Sequence, residues 1–120
     1  MIYGVEIIGN LHTHFFAIGL SENNNLQGEI PIEIGLLTNL RTLDLGGNQL
    51  HGQLPSSFST LKELEHVNME GNFLVGKVDP FFCGAAMQFV VMNCGNPILE
   101  CTCCHVCCNG AGNCAQNTSA

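Results

Sequence analysis

The chain has 120 residues, and ten acidic against three basic side chains give it a formal charge of −7 at pH 7. So few cations argue against binding to a phosphate backbone and against a polybasic patch for membrane surfaces. The sequence also lacks an apolar run of the roughly 20 residues that a helix needs to cross a bilayer. We therefore expect neither a nucleic-acid-binding protein nor membrane insertion by this segment.

Residues 1–22 carry an irregular version of a pattern that becomes regular further along the chain. Ile18 and Leu20 are followed later in the chain by their equivalents Leu43 and Leu45. The segment has no basic residue ahead of its apolar stretch, as a signal peptide has, and no polar capping element, as the end of a repeat array has. We expect further repeats upstream of residue 1.

From Asn24 onward the sequence repeats with a constant period. The interval from Asn24 to Asn48 equals the interval from Asn48 to Asn72. The recurring positions are Asn24, Leu26, Gly28, Ile30 and Pro31 in the first copy, Leu43, Leu45, Asn48, Leu50, Gly52, Leu54 and Pro55 in the second, and Val67, Met69, Asn72, Leu74, Gly76 and Val78 in the third. A constant period of this size is typical of a solenoid, in which each repeat covers the apolar face of its neighbour.

Each copy predicts a short β-strand followed by a turn. Leu43 and Leu45 alternate with polar or small neighbours, as in a strand with one apolar and one polar face. The asparagine that follows has hydrogen-bond donors and an acceptor for main-chain groups that lose contact with water in the turn. We therefore predict a buried ladder of asparagine side chains, formed by Asn24, Asn48 and Asn72.

The remaining elements are predicted from the same spacing. Short helix-like segments are expected at 38–40 and 60–64, on the side of each repeat opposite the strand. A fourth strand is expected at 90–94, because Val91 and Asn93 lie one full period after the apolar strand positions Val67 and Met69. This spacing turns Asn93 inward, which suits the end of a repeat array.

The pattern Leu-x-Leu-x-x-Asn-x-Leu-x-Gly-x-Ile-Pro resembles the plant-type leucine-rich repeat, and the resemblance covers roughly residues 5–93. It implies an α/β fold, a right-handed leucine-rich-repeat solenoid or horseshoe fragment with a parallel β-sheet on its concave face. It also implies an extracellular recognition module. The sequence shows no phosphate loop, nucleophile elbow or Ser/His/Asp constellation, so we expect neither an enzyme nor a cofactor.

All eight cysteines lie after residue 82, and an even number at such density is typical of a disulfide framework in a secreted chain. The run from Asn93 to Cys108 is similar to the cysteine tail of extracellular leucine-rich-repeat proteins of diatoms, which commonly read Asp-Cys where this chain has Asn93-Cys94. We predict repeats over 1–93 and a disulfide-rich cap over 94–120. The disulfide candidates are Cys83, Cys94, Cys101, Cys103, Cys104, Cys107, Cys108 and Cys114. Vicinal cysteines are expected to take other partners, because a bond between them strains a short ring.

A metal site is the alternative interpretation of the same cysteines. Cys101, Cys104 and Cys107 have the Cys-x-x-Cys spacing of zinc ligands, and His105 lies between them. Against this alternative, no second Cys-x-x-Cys pair lies at the distance that zinc ribbons use, and an extracellular compartment oxidises thiols. We favour disulfides and expect no bound metal.

The predicted ligand-binding surface is the polar face of the strands. It comprises Thr42, Asp44 and Gly46 on one strand and His66, Asn68 and Glu70 on the next, flanked by Ala17, Gly19 and Ser21. The expected partner is a protein, a peptide or a glycan, and the expected location is extracellular, either secreted or on the cell surface. Two other interpretations stay open: a structural extracellular protein without a specific ligand, and the ectodomain fragment of a receptor-like kinase. Asn117 begins the sequence Asn-Thr-Ser and is a glycosylation candidate.

Overall fold

In a computed structural model the chain forms short strands connected by turns and short helices. The structure describes residues 17–19, 26–84, 87–94, 99–109 and 111–116. The strands in these ranges are β1 Ala17–Gly19, β2 Gln27–Gly28, β3 Thr42–Asp44, β4 Gln49–Gly52, β5 His66–Asn68, β6 Phe73–Leu74, β7 Gly76–Lys77, β8 Phe89–Asn93, β9 Leu99–Glu100, β10 Val106–Cys108 and β11 Cys114–Gln116. The helices are the 3₁₀ helices Ile32–Leu36 and Ser56–Thr60 and the single-turn helix α1, Asp79–Phe82. Among the residues so described, no helix has the length and apolarity needed to cross a membrane.

The main sheet contains six described strands in the order β1-β3-β5-β8-β10-β11. Neighbours are parallel except for β11, which is antiparallel to β10. Strands β3 and β5 pair Thr42 with His66 and Leu43 with Val67, so the period of the sequence becomes the register of the sheet. Strands β1 and β3 pair Ile18 with Leu43, which confirms the predicted equivalence of these two residues. Two smaller parallel sheets, β2-β4-β6 and β7-β9, connect the later parts of successive repeats.

The register of β8 differs by one residue from the prediction. Val67 pairs with Val90 rather than with Val91, so the interval from β5 to β8 is one residue shorter than the period, and β8 begins one residue earlier than expected. Val90 and Met92 are the buried side chains of β8, and the prediction that Asn93 faces inward is wrong. The physical reason is that burying Met92 removes apolar surface from water, whereas an inward Asn93 would place an amide in the apolar core.

The two 3₁₀ helices, Ile32–Leu36 and Ser56–Thr60, begin earlier than predicted. Each starts directly after a proline, Pro31 or Pro55, whose φ is −75° or −69°. Proline fixes φ near these values. It has no backbone N–H, but the N–H groups of the first helical turn have no acceptor within the helix, so no hydrogen bond is lost. The helical turn therefore forms immediately after the proline rather than further along the repeat.

Side-chain hydrogen bonds connect the 3₁₀ helices of successive repeats. The Ser57 hydroxyl donates to the Ile32 carbonyl at 2.6 Å, and the Thr60 hydroxyl donates to the Gly35 carbonyl at 2.7 Å. Gly35 is buried in this contact, and a Cβ atom placed on it would lie 2.5 Å from the Ser57 Cβ. The close approach of the two helices therefore requires glycine at this position.

One apolar cluster connects the inward side chains of the sheet with those of the 3₁₀ helices. Leu43, Leu45 and Val67 come from the strand regions, and Ile34 and Phe58 come from the helices. All five are almost completely buried. Each repeat thus contributes both to its own packing and to that of the next repeat.

The core packing predicts a large effect for Leu45→Ala. This side chain is fully buried, and its truncation is expected to lower the free energy of unfolding by about 2–5 kcal/mol through lost apolar burial and the cavity left behind. Leu36→Ala is the matched control, because Leu36 is 47% exposed, and it is expected to cost less than about 1 kcal/mol. Urea denaturation of both variants measures the difference, and equal losses would contradict this packing.

The cysteines form four disulfides: Cys83–Cys103, Cys94–Cys107, Cys101–Cys104 and Cys108–Cys114. The predicted disulfide framework is confirmed, and neither vicinal pair is bonded to itself. Cys83 follows α1 and Cys94 follows β8, so two of the bonds attach these elements to the C-terminal segment. The other two bonds close turns within that segment.

Candidate functional site

One face of the main sheet carries side chains that do not enter the core. Side chains alternate between the two faces of a strand, and strand pairing aligns the outward ones in rows across the sheet. One row runs Thr42–His66–Phe89, and the next runs Asp44–Asn68–Val91–Val106. We name this surface the sheet face; it consists of Thr42, Asp44, His66, Asn68, Glu70, Phe89, Val91 and Val106.

The predicted polar residues lie side by side on this face. Thr42 and His66 are exposed, and Asp44, Asn68 and Glu70 are half-buried. Hydrogen bonds hold Asp44 and Asn68 in position. In each residue the side-chain Oδ1 accepts from the backbone N–H of the residue two positions later in the chain, at 3.1 Å. Such local bonds fix the direction of a side chain. The second carboxylate oxygen of Asp44 and the amide nitrogen of Asn68 are not used in these two bonds.

Gly46 does not contribute to the sheet face as predicted. It is buried, and a Cβ atom placed on it would lie 3.2 Å from the Glu70 carbonyl oxygen and 3.3 Å from the Asn68 side chain. The neighbouring repeat therefore covers this position. Gly46 is therefore left out of the sheet face, and the ligand contact predicted for it stays a prediction.

The residues predicted to flank the site are described only in part. Ala17 and Gly19 of β1 pair with Thr42 and Asp44, which places them at the edge of the sheet face. Other predicted residues lie outside the described ranges; they are Ser21, Asn24 and the glycosylation candidate Asn117.

The apolar part of the sheet face was not predicted from the sequence. Phe89 is 44% exposed, and its ring stacks on His105 with centroids 5.9 Å apart. His105 Nδ1 accepts a hydrogen bond from the Val90 N–H at 3.0 Å, which holds the imidazole in place. Val91 and Val106 continue the apolar surface in the next row. An unbroken period points Val91 into the core, and the four consecutive apolar residues Phe89 to Met92 carry no polar alternation that would reveal which of them face outward.

The charges on the sheet face are negative. Asp44 and Glu70 are its carboxylates, and none of its residues is a lysine or an arginine. Lys77 lies elsewhere, with its Nζ 3.7 Å from Glu100 Oε2 in an exposed pair. The sheet face therefore has polar and acidic residues on and beside β3 and β5 and apolar residues on β8 and β10.

Two asparagine side chains connect successive repeats inside the protein. Asn48 and Asn72 are buried, with 6% and 8% of their surface exposed. Asn48 Oδ1 accepts from the Leu26 N–H at 3.2 Å, and Asn72 Oδ1 accepts from the Leu50 N–H at 3.0 Å. Both amide nitrogens donate to the Leu45 carbonyl, at 3.0 and 2.8 Å. A single carbonyl thus joins the two asparagines.

Asn93 makes similar contacts at the end of the repeats. Its Oδ1 accepts from the backbone N–H groups of Gly71 and Asn72 at 2.6 and 3.3 Å. Its amide nitrogen donates to the carbonyls of Cys108 and Asn109 at 3.3 and 3.2 Å. Asn93 therefore attaches the last complete turn of the repeats to the C-terminal segment.

The zinc alternative loses its ligands in the disulfides. Cys101 and Cys104, which have zinc-like spacing, are bonded to each other. The Glu70 carboxylate and the sulfurs of Cys108 and Cys114 lie within 4.8 Å of one another, but these two sulfurs also form a disulfide. Zinc takes thiolates, which a disulfide does not provide. The cysteines therefore serve as cross-links.

Comparison with known families places this geometry in context. A family model described as Leucine Rich repeats (2 copies) matches residues 38–83. A comparison with curated proteins finds no match. Leucine-rich repeats generally mediate protein binding and are generally not catalytic. The matched residues hold β3 and β5, with their buried Leu43 and Val67, and both buried asparagines, so over this part the chain is similar to leucine-rich-repeat proteins.

Proposed function

We propose that this chain is an extracellular recognition module that binds a protein, a peptide or a glycan through its sheet face. In this proposal the repeats over residues 1–93 form a short right-handed solenoid of the plant type, and residues 94–120 form its cap. The parallel register, which follows the period of the sequence from β3 to β5 and departs from it by one residue on either side, supports the solenoid. The four disulfides support the location, because disulfides form and persist in oxidising compartments.

The observation that carries the proposal is the row of exposed side chains across parallel strands. Thr42, His66 and Phe89 are directly opposed in consecutive strands, and all three are exposed. A partner that lies across the strands would contact one residue from each of three repeats. Repeat proteins use such surfaces for binding, because a regular array of strands offers an extended area with few structural constraints on its outward side chains.

The sheet face also contains side chains that are already held in position. Asp44 and Asn68 accept hydrogen bonds from the backbone N–H groups of Gly46 and Glu70, and Phe89 stacks on His105. Side chains held before binding lose little conformational entropy on binding, which favours affinity. An exposed aromatic ring beside fixed polar groups is also the composition of many interface hot spots.

The test is a binding screen followed by a matched pair of variants. Protein, peptide and glycan arrays probed with the recombinant protein are expected to return a ligand. His66→Arg places a bulky cation at the centre of the sheet face. It is expected to lower the affinity for that ligand by at least about tenfold, or about 1.4 kcal/mol. Thr38→Arg introduces the same side chain at an exposed turn outside the sheet face and is expected to leave affinity unchanged.

Calorimetry measures both affinities, and thermal unfolding verifies that both variants fold. Equal affinities for the two variants would contradict binding at the sheet face. If the arrays return no ligand for the unmodified protein, the interpretation as a structural protein without a specific ligand replaces this proposal.

A further inference from the structure

A groove of about 740 Å³ lies beside the sheet, between one repeat and the C-terminal segment. Residues 70–75 form its repeat side, and Asn93, Cys108 and Gly112 are among the residues of its other side. Sites that hold small ligands span roughly 300–1,000 Å³. The groove therefore has room for one or two residues of a peptide.

Most of the groove is apolar and open to solvent. Phe73 is 68% exposed and Val75 is 36% exposed, and the almost completely buried Leu99 and Cys108 also line the groove. Covering apolar surface is favourable in proportion to the area removed from water. A ligand for this groove therefore needs an apolar part.

The groove contains a single charged residue, Glu70, among the described residues that line it. Its carboxylate lies within 4.8 Å of the sulfurs of Cys108 and Cys114, against the disulfide that closes the C-terminal hairpin. None of the described lysines, arginines or histidines forms an ion pair with it. A carboxylate beside apolar walls attracts a cation more strongly than a fully hydrated carboxylate does, because the effective dielectric constant is lower there.

We propose that this groove binds an arginine-containing peptide segment with an apolar residue beside the arginine. The planar guanidinium ion pairs with a carboxylate through two hydrogen bonds and also stacks on aromatic rings, and both partners are available here in Glu70 and Phe73. The net charge of −7 favours a cationic partner as well. Glu70 belongs to both surfaces, but the other residues that line the groove lie outside the sheet face. The groove is thus a second site that does not depend on the proposed function.

The probe is the dipeptide acetyl-Leu-Arg-amide, added to the ¹⁵N-labelled full chain with its disulfides intact. Its binding is expected to move the backbone NMR signals of Gly71, Phe73 and Gly112, which line the groove. The matched control peptide replaces arginine by citrulline, which keeps the shape and removes the charge. It is expected to bind at least about fivefold more weakly, because it lacks the ion pair with Glu70 and an ion pair of this exposure contributes about that factor to affinity.

Variants separate the contributions of charge and apolar contact. Glu70→Gln is expected to weaken the arginine peptide to the level of the citrulline peptide, while Glu33→Gln, with the same change in net charge on an exposed 3₁₀ helix, leaves it unchanged. Phe73→Ala is expected to lower the affinity for both peptides by at least about fivefold. The variant is expected to stay folded, because Phe73 is mostly exposed.

Three results would overturn the groove site. Equal affinities for the arginine and citrulline peptides would show that Glu70 does not bind the arginine. Unchanged NMR signals with both peptides would show that the groove binds neither of them. Shifts confined to Thr42, His66 and Phe89 would place the peptide on the sheet face; that outcome supports the proposed function and overturns the groove.

Discussion

Reduction of the four disulfides is expected to loosen the C-terminal segment before the repeats unfold. All four bonds join residues between Cys83 and Cys114, so none of them cross-links the repeats that precede Cys83. Each bond is expected to contribute about 2–4 kcal/mol by limiting the unfolded chain. Hydrogen exchange with and without reductant is expected to show lost protection in β8 and β10 and retained protection at Leu43–Pro55.

Two further measurements separate disulfides from metal ligation in the same experiment. Protein made in an oxidising compartment is expected to have the mass of the reduced chain less eight hydrogens, two for each of the four bonds. A chelator is expected to leave the melting temperature unchanged. Reactive thiols in the native protein, together with unfolding by the chelator, would restore the zinc alternative and remove the argument for an extracellular location.

Asn72→Ala is expected to destabilise the repeats strongly. The substitution leaves the Leu50 N–H and the Met69 carbonyl without the bonds that Asn72 makes to them. A buried polar group left unpaired costs about 1–3 kcal/mol. The Leu45 carbonyl, in contrast, keeps its bond from Asn48, so it adds no further cost in this variant.

The double variant Asn48→Ala/Asn72→Ala is expected to lose more stability than the sum of the single variants. Only in the double variant does the Leu45 carbonyl lose both amide donors, which adds about 1–3 kcal/mol. Urea unfolding of the four proteins in a double-mutant cycle measures this coupling. Gln49→Ala removes an exposed amide next to Asn48 and serves as the control, with an expected change within about 0.5 kcal/mol. Strict additivity would contradict the shared carbonyl.

The sequence by itself determined the repeating part of the fold. Leu43 and Val67 occupy equivalent positions in successive copies, and they are paired and buried in the sheet. Alternation in β3 and β5 also identified the outward positions of Thr42 and His66. These features are local or periodic, and a period converts directly into the register of parallel strands when each repeat packs on an equivalent neighbour.

Only the tertiary structure decided what happens where the period breaks. The interval from β5 to β8 is one residue shorter than the period, and because side chains alternate between faces, that single residue moves Val91 out of the core and sets Phe89 opposite His66. The burial of Gly46 likewise depends on the backbone of the next strand rather than on its own neighbours in sequence. The disulfide pairing and the groove around Glu70 are decided in the same way, because both depend on which residues the C-terminal segment brings within a few ångströms after the chain has folded.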